Sequence, residues 1–82
     1  MYFCYVIQSL SKQEYFYKGF CKNLEARLKE HNAGKTKSNK AYLPFKIVYY
    51  ETFDNLEESL KTEKYWKTAA GRRYLHNKIL VS

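Results

Sequence analysis

The chain has 82 residues, 45% hydrophobic and 18% aromatic, with fifteen Lys and Arg against eight Asp and Glu for a formal net charge of +7. That length suits one domain over residues 1–82. Chains of this size bury roughly 60% of the surface their unfolded form exposes, so nine Tyr and five Phe must supply much of the packing. No apolar run approaches the ~18 residues of a membrane span, no signal-peptide pattern is present, and Cys4 and Cys21 fit neither a metal spacing nor a disulfide framework. A cytoplasmic protein with reduced thiols and no membrane role is expected.

Residues 2–8 are rich in aromatic and β-branched side chains and read as a strand; residues 9–13 form a turn and 15–20 the returning strand of a hairpin. Phe3, Tyr5 and Ile7 share one face of the first strand, and Tyr15, Tyr17 and Gly19 one face of the second. Pairing Tyr5 near Tyr17 puts both phenols on the same side of the sheet, within cross-strand reach. Asn23 caps a predicted helix that stops at Gly34, with Glu25 favourably placed in its first turn. Residues 35–44 form a basic loop and 45–53 the third strand. Asp54 or Asn55 caps a second helix running to about Lys67. Residues 68–71 break it, and residues 74–80 make a short third helix packing through Leu75 and Ile79. The order ββαβαα describes an α+β domain, a small three-stranded antiparallel sheet with helices against it.

Both of the first two helices carry charge inside their own apolar stripe. Leu24, Arg27, Leu28 and His31 share one helical face, and Leu56, Leu60, Glu63 and Lys67 share another. Burying ionised groups costs several kcal/mol in order of magnitude unless a partner, a metal or a water-filled cleft compensates. The plainer reading is that Arg27 and His31 reach past the leucines to water and that Glu63 is a structural partner or an exposed acid. Against it, two polar residues interrupt a stripe too short to spare them. Convergence of these groups on one hollow is the expectation.

The charge is unevenly spread. No acid lies between Glu30 and Glu51, where Lys35, Lys37, Lys40 and Lys46 fall; from Lys61 onward six basic residues face Glu63 alone. A polyanion is the implied partner, nucleic acid ahead of membrane because no strongly amphipathic basic helix is present. Lys35, Lys37 and Lys40 are the candidate grip on its backbone, with Ser38, Asn39 and Tyr42 interleaved to touch sugar or base.

Tyr5-Val6-Ile7, Tyr17-Lys18-Gly19, Arg27, His31 and Glu63, in that order and spacing, resemble the sequence blocks of the GIY-YIG nuclease family. The stretch 17–32 matches most closely. With residues 44–51 and 57–67 it is similar to the compact single-domain branch, the small excinuclease-subunit-C-like endonucleases of bacteria. The resemblance spans residues 2–78. The chain departs from the family pattern in having Phe3-Cys4 where Gly-Ile is usual and Lys18 where an aliphatic residue or threonine is usual. Asn77 stands at a suggestive distance from Glu63 for the asparagine that larger members carry. The resemblance implies a metal-dependent endonuclease that hydrolyses phosphodiester bonds in DNA, with a place in DNA repair. One Mg²⁺ or Mn²⁺ would sit on Glu63, Arg27 would face the phosphate oxygens, and Tyr5, Tyr17 and His31 would take and relay the proton of the attacking water. Tyr5 is the first choice as base, though either phenol could serve. DNA against RNA, substrate structure and oligomeric state stay open. The alternative is a nucleic-acid-binding module that keeps the nuclease fold without turnover.

Overall fold

The structure, a computed structural model, describes residues 1–81, leaving aside the side chains at 38, 80 and 81. Strand β1 (Tyr2–Ser9) is central, flanked by β2 (Phe16–Cys21) and β3 (Phe45–Phe53) in an antiparallel sheet of order β2-β1-β3. The order ββαβαα is borne out, with helices α1 (Leu24–Asn32), α2 (Leu56–Trp66) and α3 (Ala69–Val81) and a 3₁₀ segment (Lys37–Tyr42) within the basic loop. Among the described residues, no helix is long and apolar enough to cross a membrane.

Period-two alternation along β1 sends its side chains into two cores. Cys4 and Val6 pack with Trp66 and Leu75 under α2 and α3, while Tyr5 and Ile7 pack with Phe45, Tyr17, Leu24 and Leu28 under α1. A register shift against β3 pairs Val6 with Tyr49 and Ile7 with Ile47, so the consecutive Val48 and Tyr49 both serve the α2/α3 core. The hairpin register differs from the expected one. Tyr5 lies opposite Gly19, and Tyr17 opposite Ile7. An offset of two residues keeps every side chain on its face, so both phenols remain on the α1 side.

Helix α1 begins and ends where local chemistry directs. Asn23 Oδ1 accepts from the Ala26 amide at 3.0 Å. At the other end Gly34 takes φ +76°, letting its N–H reach His31 O and the Lys35 N–H reach Glu30 O, which closes the last turn. The side chain of Asn32 then accepts from Phe45 N at 2.7 Å and donates to Phe45 O at 3.2 Å. Ser9 Oγ donates to Tyr42 O at 2.6 Å, so the basic segment is tied at both ends.

Asn55, not Asp54, caps α2. That helix is also rotated from its expected seat. Ser59 and Trp66 are buried while Leu56 is 41% exposed, because the indole needs the deep position that the Leu56–Leu60 stripe was expected to fill. The break after α2 is shorter than expected. Thr68 Oγ1 accepts from Gly71 N at 3.0 Å and so caps α3, which starts at Ala69 rather than Tyr74. Leu75 and Ile79 pack into the core as expected. Both cysteines are free; Cys4 is buried, its Sγ donates to Ser59 O, and burial pushes its thiol up to about 11.

Candidate active site

Four of the expected site residues meet on the α1 face of the sheet. Tyr5 rises from the central strand with 2% of its surface exposed. Its hydroxyl lies 2.9 Å from His31 Nε2 and accepts from Arg27 Nε at 3.2 Å. Arg27 and His31 stand one turn apart on α1, so one helix face delivers both to the same oxygen. Tyr17 closes the group from the edge strand, its ring 5.0 Å from His31 and 6.4 Å from Tyr5. Gly19 makes the packing possible. A Cβ there would stand 2.6 Å from Tyr5 Oη, so the phenol occupies the space a side chain would need.

His31 is fully buried, and its second nitrogen meets Asn39 of the basic loop. Asn39 was expected at the surface of the basic loop. It is instead fully buried, with Nδ2 3.2 Å from His31 Nδ1. In this amide orientation Asn39 donates to Nδ1, the ring proton resides on Nε2, and His31 donates to Tyr5. Asn39 Oδ1 has no hydrogen-bond partner. The only local signal was an uncharged polar residue in a lysine-rich loop eight positions after His31, and the 3₁₀ turn is what folds it inward. Tyr42 is likewise withdrawn from the surface role expected of it, stacked on Tyr15 with centroids 3.8 Å apart. Ser38's side chain lies outside the described residues. Lys35, Lys37 and Lys40 are exposed, as a backbone grip requires.

The electrostatics follow from burial and from Arg27. Burial drives the Tyr5 phenol up to about 12, only partly opposed by the guanidinium hydrogen-bonded to it. Burial, then the charge of Arg27, pushes His31 below the ordinary histidine range, so its ring is neutral near pH 7. Arg27 has its Nε engaged by Tyr5, but its terminal NH1 makes only a 3.6 Å pair with the half-exposed Glu30. An exposed pair of that kind is weak enough for a phosphate to displace.

Among the described residues, Glu63 makes no direct bond to these four. It lies one turn beyond Ser59 on α2, on the Cys4 side of the sheet, 16% exposed and 3.6 Å from Lys67. Among the described residues no hydrogen bond or ion pair joins it to Tyr5, Tyr17, Arg27 or His31. Nor do three His, Cys, Asp or Glu gather into a metal cage among them. A single half-shielded carboxylate with a flexible lysine as its partner fits an ion of the Mg²⁺ type, which takes one or two carboxylates and fills its shell with water and phosphate oxygens. Asn77 is exposed on α3, beside Arg73 and His76.

Residues 1–77 match the GIY-YIG catalytic domain. Over 66 residues the chain is 39% identical to a UPF0213 protein of Bacillus licheniformis, covering 76% of this chain and 68% of that one. It is 36% identical to UPF0213 proteins of Streptococcus pyogenes serotypes M3 and M1, covering 79% of this chain and 70% of each. No solved structure matches it. The chain belongs to the GIY-YIG family, a family of nucleases, and nucleic acid is the partner class that membership implies.

Proposed function

We propose that this GIY-YIG protein is an endonuclease hydrolysing phosphodiester bonds in DNA, with Tyr5, Tyr17, Arg27 and His31 as its reaction centre and Glu63 as its metal ligand. The observation that carries the reading is the hydroxyl of Tyr5 clasped by His31 and Arg27 beneath an open guanidinium end. A half-buried arginine hydrogen-bonded through Nε, with only a weak 3.6 Å pair at NH1, keeps the outer edge of its fork for phosphate. Those nitrogens would meet the non-bridging oxygens and stabilise the charge that builds on them as water attacks.

The two phenols have different surroundings, which separates their roles. Tyr5 is sealed from water and its proton is held tightly. Tyr17 is half-buried, and its hydroxyl has no hydrogen-bond partner among the described residues, leaving it free for water or substrate. Tyr17 therefore takes the proton of the attacking water, and Tyr5 holds Arg27 and His31 in place, a reversal of the first choice drawn from sequence. The positive charge of Arg27 and of a bound divalent ion would assist that transfer. When held by Glu63, Mg²⁺ or Mn²⁺ would supply charge neutralisation at the scissile phosphate and the leaving oxygen. Lys35, Lys37 and Lys40 contribute affinity for the backbone without choosing sequence.

The Glu63–Lys67 pair is also what favours the alternative, a binding module without turnover. Incubation with plasmid and single-stranded DNA, with Mg²⁺ or Mn²⁺ and with EDTA, decides between them. Metal-dependent nicking that disappears in Glu63→Gln and drops roughly 10²-fold in Arg27→Ala supports the enzyme. Binding without cleavage on duplex, flap, junction, single-strand and RNA substrates refutes it.

A further inference from the structure

On the sheet face turned away from Tyr5, β2 and α3 enclose a concavity of about 350 Å³. Val6 and Leu75 lie at its depth, Phe16 stands at its side, and Lys18, Arg72 and His76 rim it. Two features ask for an occupant. Phe16 is 39% exposed and presents an apolar ring at the side of this hollow. The cations beside it are also uncompensated. Among the described residues neither Lys18 nor Arg72 makes an ion pair, and burial together with Arg72 and Lys67 drives Lys18 below the usual lysine range. A second, shallower concavity shares Arg72 and His76 and continues along α3 past Arg73.

An aromatic-sided apolar hollow rimmed by unpaired cations suits a flat apolar body carrying adjacent negative charge. A nucleotide has that chemistry. In a duplex each base is already stacked and paired, whereas a base in a single strand has a free face. Location narrows the choice further. Tyr17 and Lys18 are consecutive on β2, an edge strand, so the reaction centre and this hollow lie on two faces of one strand. A flexible strand bending round that edge touches both; a stiff duplex does not. We propose that the hollow between β2 and α3 receives an unpaired base of a single-stranded segment, stacked on Phe16 with its flanking phosphates on Lys18 and Arg72. The inference rests on the nuclease reading above and supplies its substrate preference.

The test measures fluorescence anisotropy with labelled oligothymidylate of eight nucleotides and with a matched hairpin duplex, in EDTA so that no turnover intervenes. Phe16→Ala should weaken single-strand binding about tenfold, the loss expected of one stacked base, with duplex binding changed less than twofold. Phe16→Tyr, which keeps the aromatic face, should bind as the unaltered protein does. An abasic site moved along the oligonucleotide should reproduce the tenfold loss at one position, and cause no further loss in Phe16→Ala. Equal single-strand affinity in the unaltered protein and Phe16→Ala overturns this proposal and leaves the nuclease reading standing. If the unaltered protein binds neither DNA, this proposal falls, and the nuclease reading stands or falls by the cleavage assay with metal. A dimer in sedimentation that Phe16→Ala converts to monomer would assign the hollow to a second copy of the chain, and the proposal is refuted.

Discussion

Replacing Gly19 with alanine would put a methyl carbon 2.6 Å from Tyr5 Oη and 2.8 Å from its Cζ, where ordinary contact begins at 3.4 Å. Gly19 has no positive φ, so its need for glycine is one of space and not of backbone freedom. The phenol must retreat by about 0.8 Å, yet His31 packs edge-on at 5.9 Å and both hydrogen bonds fix the oxygen. Overpacking a tight core costs ~1–3 kcal/mol, and each strained or lost hydrogen bond ~1 kcal/mol. Gly19→Ala should therefore destabilise the fold by about 3 kcal/mol, a large share of the ~5 kcal/mol that marks the low end for small domains. Urea unfolding followed by the fluorescence of Trp66 measures it. A double-mutant cycle with Tyr5→Phe isolates the clash, because removing Oη deletes the tightest contact while the 2.8 Å one remains. Gly19→Ala should then cost at least ~1 kcal/mol less. A single-mutant loss below ~1 kcal/mol, or the same loss in both backgrounds, would show that the phenol is not wedged against this glycine.

His31 carries a pH signature. Its folded pKa lies below the ordinary 6.5, so beneath that pH the unfolded chain binds the extra proton and stability falls as the medium is acidified. His31→Gln should flatten the denaturation midpoint below pH 6.5 relative to the unaltered protein; parallel profiles would contradict a buried neutral imidazole. Replacing Lys35, Lys37 and Lys40 together by alanine should lower the slope of log affinity against log salt by about 2–3 for duplex DNA. An unaltered slope would place the backbone contacts elsewhere. Glu51 Oε2 accepts from both Tyr49 and Tyr74, at 2.5 and 2.6 Å, which clasps β3 to α3. Tyr74→Phe should cost ~1 kcal/mol and lower Tm by about 4–8 °C in a calorimetric scan, and no shift would mean the clasp adds nothing.

What the sequence determined by itself was whatever a few neighbouring residues decide. Asn23 caps because a short side-chain oxygen reaches an amide three positions on, the choice between Asp54 and Asn55 for α2 stayed open, and Gly34 ends α1 because a positive φ suits a residue without Cβ. Thr68 belonged to the same class of signal, but the glycine after it was read as a break. Sheet faces were legible as well, since alternation survives a register slip of two residues. The union of Tyr5, Tyr17, Arg27 and His31 could thus be expected before their contacts were seen. The fold class followed from the order of elements, and the family from motifs spread along nearly the whole chain.

Tertiary structure alone decided how the elements meet. The register that sets Tyr5 over Gly19 depends on how the six residues between β1 and β2 turn. The rotation of α2 follows the demand of one indole for a deep site, and that rotation buries Ser59 and Trp66 while leaving Leu56 exposed. Asn39 reaches His31 only through the fold of the 3₁₀ segment, and Glu51 reaches Tyr74 only through α3 brought back to the sheet. Side chains that act through long-range contacts leave no period and no spacing behind. Which buried group holds which proton is settled by packing.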